Sequence, residues 1–268
     1  MTTLNTKPFF ALLLLLCAHT GQARAAFISW YPTFDTESVE DVVTLGESVE
    51  AYNFSFDSSN VEGEEDQSTV IADAIFVESS TYFSDDTGGK YDFLNGETTG
   101  SSEYDAILST LDFGGGEDVV QLQIGDNTLT VGNTYLVQIW FTDLRDGING
   151  GDRIMSVGDG SGNDVLLSGE GEGLGEYVIG VFVADDISQL LEFQVFANAG
   201  NVHINALQVR DVTGESLVDL VDSRNLAAVP APWTGISLVI FFLLSRRRLN
   251  VSLYFKHHGS KDNGTPIA

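Results

Sequence analysis

What most constrains this chain is a two-residue hydrophobic alternation, repeated in segments that Gly, Asn and Asp separate. In 134–142, Tyr135, Val137, Ile139 and Phe141 share one face, and Leu136, Gln138 and Trp140 share the other. Successive side chains of a strand point to opposite faces, so this spacing predicts a sheet and not a helix. Val120, Leu122 and Ile124 alternate with Gln121 and Gln123, and Asp126-Asn127 predicts a tight turn into a further strand at 128–131. Tyr52, Phe54 and Phe56 mark an early strand, and Val70, Ala72, Ala74 and Phe76 mark one face of another. Long strands are expected at 176–184, 190–197 and 202–209. One segment departs from the pattern: Tyr104, Ile107, Leu108 and Leu111 have helical spacing, with Ser101 or Ser102 as N-cap. The expected fold class is mainly β, an antiparallel β-sandwich of jelly-roll type with one short helix.

The 268 residues carry 39 acidic and 12 basic side chains, a net charge of −27. Phosphate would be repelled over most of such a surface, which argues against nucleic acid as a partner. A hydrophobic content of 43% argues against a disordered chain. The single cysteine, Cys17, excludes an internal disulfide, and four scattered histidines exclude a His-rich metal site. The acids concentrate in 27–225, where 38 of them face five bases, Lys90, Arg145, Arg153, Arg210 and Arg224, for a net charge of −33. Such a body repels itself unless ions screen it, which suits salty or cation-rich surroundings.

The two ends read as addresses. Residues 1–25 have the form of a signal peptide: Lys7, an apolar run through Leu12 to Leu16, and Ala23-Arg24-Ala25 as the cleavage pattern with Ala23 and Ala25 as its small residues. At the other end Val229-Pro230-Ala231-Pro232 precedes an apolar run from Trp233 to Leu244, and Arg246, Arg247 and Arg248 follow. A Pro motif, an apolar helix and a basic stop form a sorting signal that resembles the PEP-CTERM tail processed by an exosortase. The resemblance implies export, anchoring in the inner membrane through the C-terminal helix, cleavage near the Pro motif by an exosortase-like partner, and a final place at the cell surface or outside the cell. The basic cluster would remain cytoplasmic. Ala231 stands where that family usually has Glu, and the chain runs on to Ala268. A plain C-terminal membrane anchor explains the same residues. The expected organisation is therefore 1–25 signal peptide, 26–212 β-sandwich, 213–228 polar linker, 229–248 sorting signal and transmembrane helix, and 249–268 tail.

The body carries a second resemblance. Ala26-Phe27-Ile28-Ser29-Trp30, Val49-Glu50-Ala51-Tyr52-Asn53-Phe54, the helix at 104–111, Tyr135-Leu136-Val137-Gln138-Ile139-Trp140, the segment 175–185 and Ile204-Asn205-Ala206-Leu207 are similar to exported domains of PEP-CTERM proteins. Those domains resemble galactose-binding-like and malectin-like jelly rolls found in carbohydrate-binding modules. The matching motifs are mostly core strands, so they inform fold more than function.

Candidate chemistry centres on the loop after 134–142. Asp143, Asp146 and Asp152, joined by Asp159 and Asp164, could offer oxygens to calcium, and jelly rolls of this kind often carry a structural calcium. The spacing does not match an EF-hand, and hairpin turns call for the same Gly, Asn and Asp residues. For a sugar, Trp140 could supply a stacking face, with Asp143, Arg145 and Asn205 as polar partners; as a large aromatic it is read first as core. Trp30, Tyr31, Tyr82 and Tyr91 are further rings. His203, alone among histidines in 27–225, has no nucleophile motif beside it, and no catalytic residue is assigned. The expected function is an exported, non-catalytic surface or matrix protein, structural or adhesive among extracellular polysaccharide. A calcium-supported carbohydrate-binding module is the alternative, and a carboxylate-dependent glycoside hydrolase the third reading.

Overall fold

The strand at 134–141 lies inside the largest sheet of the described residues, and both of its faces are buried. The computed structural model describes residues 26–54, 68–78, 89–90, 93–114, 119–145, 153–197 and 201–218. The expected signal peptide and sorting helix, and the residues Ala23, Ala25, Val229, Pro230, Ala231, Pro232, Arg246, Arg247 and Arg248, lie outside them. Among the described residues no helix is long and apolar enough to cross a membrane.

In chain order the elements are β1 (Ser29–Trp30), β2 (Phe34–Asp35), a 3-10 turn (Val39–Asp41), β3 (Glu47–Asn53), β4 (Thr69–Ile71), β5 (Ala74–Glu78) and β6 (Gly89–Lys90). Helix α1 (Ser102–Leu108) follows, then β7 (Thr110–Gly114), β8 (Val120–Ile124), β9 (Thr134–Phe141), β10 (Ile154–Gly158) and β11 (Val165–Ser168). The last four are β12 (Glu176–Val183), β13 (Gln189–Ala197), β14 (Val202–Ile204) and β15 (Ala206–Asp211). One sheet of eight strands runs β1-β12-β9-β15-β3-β5-β4, with β2 also pairing β12; a second of four runs β11-β10-β13-β8, and a third of three runs β14-β7-β6. The pairs are antiparallel except β3 with β5, where Tyr52 lies opposite Val77.

The larger two sheets enclose the main core. Tyr135, Val137, Ile139 and Phe141 of β9, with Val178 and Phe182 of β12 and Leu207 and Val209 of β15, pack toward Leu122, Ile124, Met155, Val157, Leu191 and Phe193. The register explains why they share a face: Val178 and Leu207 both stand opposite Ile139. Burial of this apolar surface is the main favourable term in the fold.

The other face of the large sheet is also buried, and it is partly polar. Gln138 on β9 and Gln208 on β15 are cross-strand partners. Gln138 donates to the Asp41 carbonyl (2.8 Å) and accepts from the Val43 amide (3.0 Å) and from Gln208 (2.8 Å), while Gln208 donates to the Val43 carbonyl (3.0 Å). One residue pair further, fully buried Arg210 donates to the carbonyls of Leu45 (2.8 Å), Gly46 (2.7 Å) and Thr44 (3.2 Å), and to the Asp73 carboxylate (2.7 Å). These side chains give the irregular segment 41–46 the backbone hydrogen bonds that it lacks in any ladder, a requirement for buried main chain.

Several expectations are corrected here. Residues 70–76 are not one strand face but the hairpin β4–β5, turning at Ala72 and Asp73; Ala72 has a positive φ of 54°, and Ile71 stands opposite Ala74. Residues 128–131 form no strand although Asp126 and Asn127 do turn with positive φ; Leu129 instead donates to the Ile187 carbonyl (3.0 Å). The stretch 202–209 is split between two sheets, with Asn205 at the break. Ser101, not Ser102, caps the helix, its side chain accepting from the Tyr104 amide (3.3 Å).

Replacing Arg210 by Met should cost on the order of 3 kcal/mol, because three partly buried carbonyls lose a charged donor. Asp73→Asn should cost less than about 1 kcal/mol, since its side chain is 54% exposed and exposed ion pairs contribute little. Urea titrations of both variants check this, and equal losses would contradict the role given to Arg210.

Candidate functional site

The end of β9 delivers a buried carboxylate to the point where the sheets part. Asp143 has no exposed surface, and burial of such a group requires compensating charge and hydrogen bonds. The chain supplies both two residues later: Arg145 Nε donates to Asp143 Oδ1 (2.7 Å) and Arg145 Nη2 donates to Oδ2 (2.9 Å). This two-pronged contact is the geometry that a guanidinium offers and an ammonium does not. The Arg145 guanidinium also lies over the Phe93 ring, 4.4 Å from its centre.

Two further residues arrive from distant strands. His203, on β14, lies with Nδ1 3.5 Å from Asp143 Oδ2 and is wedged between the rings of Phe113 and Phe141, each 6.0 Å away. Arg153, immediately before β10, places Nη1 against His203 Nε2 and 3.2 Å from Nδ1. Gly169 ties the chain ends together, accepting from the Asp143 amide (2.8 Å) and donating to the Arg153 carbonyl (3.0 Å). A side chain at Gly169 would press on the Asp143 Cβ and the Phe141 ring, both 3.3 Å from an added carbon.

An open cleft of about 180 Å³ results, lined by Phe93, Leu111, Phe113, Arg145, Arg153, Asn201 and His203. Burial, then the positive charges of Arg153 and Arg145, hold the His203 imidazole well below its ordinary value of 6.5, so it is neutral at physiological pH. Burial and the neighbouring Arg145 also lower the Arg153 guanidinium, and Asp143 opposes that shift. Because arginine only donates, a neutral His203 meets Arg153 with a ring lone pair. The imidazole is thereby an acceptor for Arg153 and a weak base, and no hydroxyl or thiol lines the cleft among the described residues.

The other candidates have different places. Trp140 is corrected: it is fully buried, its indole donates to the Tyr104 hydroxyl (2.8 Å), and Phe76, Tyr104 and Tyr177 surround it. It presents no face for a sugar. Asn205 is corrected likewise: its amide donates to the carbonyls of Leu108 and Thr110 (2.9 Å each) and accepts from the Thr142 amide (2.7 Å), which consumes it as a pin between helix and sheet. Asp143 and Arg145 are brought together, whereas Asp146 and Asp152 lie outside the described residues. Asp159 is buried at a separate turn, accepting from the amides of Ile28 (2.8 Å) and Ser161 (2.9 Å), and Asp164 is exposed. No three His, Cys, Asp or Glu side chains group around a metal position among the described residues. Tyr31 is buried, Trp30 donates to the Asn163 carbonyl (3.0 Å), and Tyr82 and Tyr91 are not described.

A second depression, of about 650 Å³, is lined by Thr33, Phe34, Asp35, Glu37, Ser38, Glu40, Asp41 and Tyr177. Its carboxylates are partly committed to backbone: Asp41 accepts from the amides of Glu37 (2.7 Å) and Ser38 (2.9 Å), and Asp35 from that of Glu172 (2.7 Å). Arg153 and His203 are the residues that sequence reasoning missed as partners of Asp143. The one available signal was their rarity, a cation and a histidine in a body with five bases and a single imidazole.

No protein-family model and no curated protein matches the chain. Among solved structures it is similar to Bacteroides uniformis β-glucuronidase 2 bound covalently to cyclophellitol-6-carboxylate aziridine, with 12% identity and a TM-score of 0.41 over 60% of this chain and 17% of that one. It is similar also to a Bacteroides uniformis β-glucuronidase structure (13%, TM-score 0.36, 60% of this chain and 18% of the other). A calcium-binding mutant of β-glucuronidase 2 from that organism aligns at 11% identity and a TM-score of 0.38, again over 60% and 18%. The aligned part is a small share of those longer chains, and a likeness of this depth assigns neither activity nor substrate.

The buried histidine makes stability pH-dependent with a definite sign. Its pKa is depressed on folding, so the unfolded chain binds the proton more readily, and stability present above pH 6.5 is lost as pH falls toward the folded-state value. His203→Gln should therefore lose less stability than wild type below that pH, the gap growing by up to about 1.4 kcal/mol per pH unit. Denaturant titrations at a series of pH values check it, and parallel curves would contradict a buried neutral imidazole.

Proposed function

We propose that this chain is an exported, non-catalytic β-sandwich of jelly-roll type that works by binding, at the cell surface or in the extracellular matrix, in a polysaccharide context. The N-terminal apolar run with its Ala-Arg-Ala pattern and the PEP-CTERM-like tail support export and sorting. The observation that carries the binding role is the cleft. Its polar groups are held to one another by Asp143, its imidazole is neutral, and its walls include the rings of Phe93 and Phe113. Such a site is preorganised for recognition: it offers fixed donors beside apolar surface, the usual composition of a small-molecule site. Among the described residues that line it there is no carboxylate, whereas the third reading needs two.

The protein recovered from its host should begin at Ala26 and end near Pro230 to Pro232, as intact-mass measurement and terminal sequencing would show. It should capture the host's exopolysaccharide in a pull-down and leave its chain length unchanged. Shortening of the polymer would overturn the non-catalytic reading, and a tail intact through Ala268 would overturn sorting by cleavage.

A further inference from the structure

The cleft runs against the charge of the rest of the body. Of the five bases in 27–225, Arg210 is buried beneath 44–46, whereas Arg145 and Arg153 meet at one opening. Arg145 is matched by the two oxygens of Asp143 (2.7 and 2.9 Å). Arg153 rests against the neutral ring of His203, and among the described residues no carboxylate lies within ion-pair distance of it. The cluster of one carboxylate, two guanidiniums and a neutral imidazole thus carries one net positive charge, in a body whose net charge is −33. Asp143, already bonded to Arg145, attracts Arg153 only from a distance, and a half-buried guanidinium with no anion in contact is costly unless something compensates it. Water and a bound anion are the two candidates, and the open side of the cleft admits either.

We infer that the cleft binds a single monovalent oxyanion through Arg153, assisted by Arg145. This inference rests on the proposed binding role and names the class of ligand. One excess positive charge matches a carboxylate or a sulfate monoester and not a phosphate monoester, which is largely dianionic at neutral pH. Arginine presents parallel N–H donors that fit either oxyanion in a forked contact. Phe113, half-buried, is the ring that offers apolar wall to the carbon frame bearing the charge, with Phe93 and Leu111 almost wholly buried behind the lining. In a polysaccharide context the two sources of this chemistry are uronic acids and sulfated sugars. The ring of His203 completes the site by accepting from Arg153, which fixes the direction in which the guanidinium points.

Isothermal titration of the protein purified as its host makes it, at constant ionic strength, tests the inference with galacturonate, galactose 6-sulfate and galactose. Galacturonate or galactose 6-sulfate should bind one per chain, and galactose at least about tenfold more weakly, as one charge-assisted hydrogen bond accounts for. Preference between the two acids identifies carboxylate or sulfate ester as the source. Arg153→Gln should weaken the acid by about tenfold or more with little change for galactose. Should that variant fail to fold, arginine Nε–Hε resonances of the wild type give a second reading, and two of them should shift on titration. Equal binding of acid and neutral sugar, or no binding of either acid with unshifted arginine resonances, overturns the inference. If the exopolysaccharide is still captured in that event, the binding role survives without the anion; if nothing is captured, both fall.

Discussion

The buried carboxylate of Asp143 sets the terms for the candidate site. It has no exposed surface, so its charge must be answered from within the protein, and removing one member of such a cluster leaves the others uncompensated. Arg145, two residues along, answers it directly, and Arg153 ahead of β10 and His203 on β14 gather beside the pair. Their convergence leaves a cleft with fixed donors, and it depresses the basicity of the histidine that would otherwise suggest proton transfer.

The central strand governs the rest. Because β9 is covered on both faces, its two sets of alternating residues do different work. Tyr135, Val137, Ile139 and Phe141 join the inter-sheet core, while Gln138 and Trp140 face the other way and bond to Asp41, Val43 and Tyr104. A polar residue on such a strand does not mark a solvent face. It marks a place where irregular backbone needs hydrogen bonds, and Gln138, Gln208 and Arg210 provide them in a row across the sheet.

Much of the fold was legible in the sequence because alternation is a local signal. The strands β8, β9, β12 and β13 and the capped helix follow directly from residue spacing. What was not legible depends on tertiary contacts. The turn at Ala72 and Asp73 needs a positive φ at a residue with no sequence mark for it, and the break at Asn205 follows from hydrogen bonds to Leu108, Thr110 and Thr142. Sharing a strand face with Gln138 left a sugar platform open as one reading of Trp140, and the second covering layer removes that role. The site was half legible: Asp143 and Arg145 are sequence neighbours, but Arg153 and His203 reach them only through the pairing of β10 with β13 and of β14 with β7.

Nitrogen-15 NMR of the His203 imidazole reads the charge arrangement at the cleft. A neutral ring is expected, with the proton on Nδ1, facing Asp143, and an unprotonated Nε2 facing Arg153, unchanged as the pH is lowered well past 6.5. A ring that gains its second proton near pH 6.5 would contradict the account, because an imidazolium cannot accept from Arg153 and the cleft would then carry a different charge.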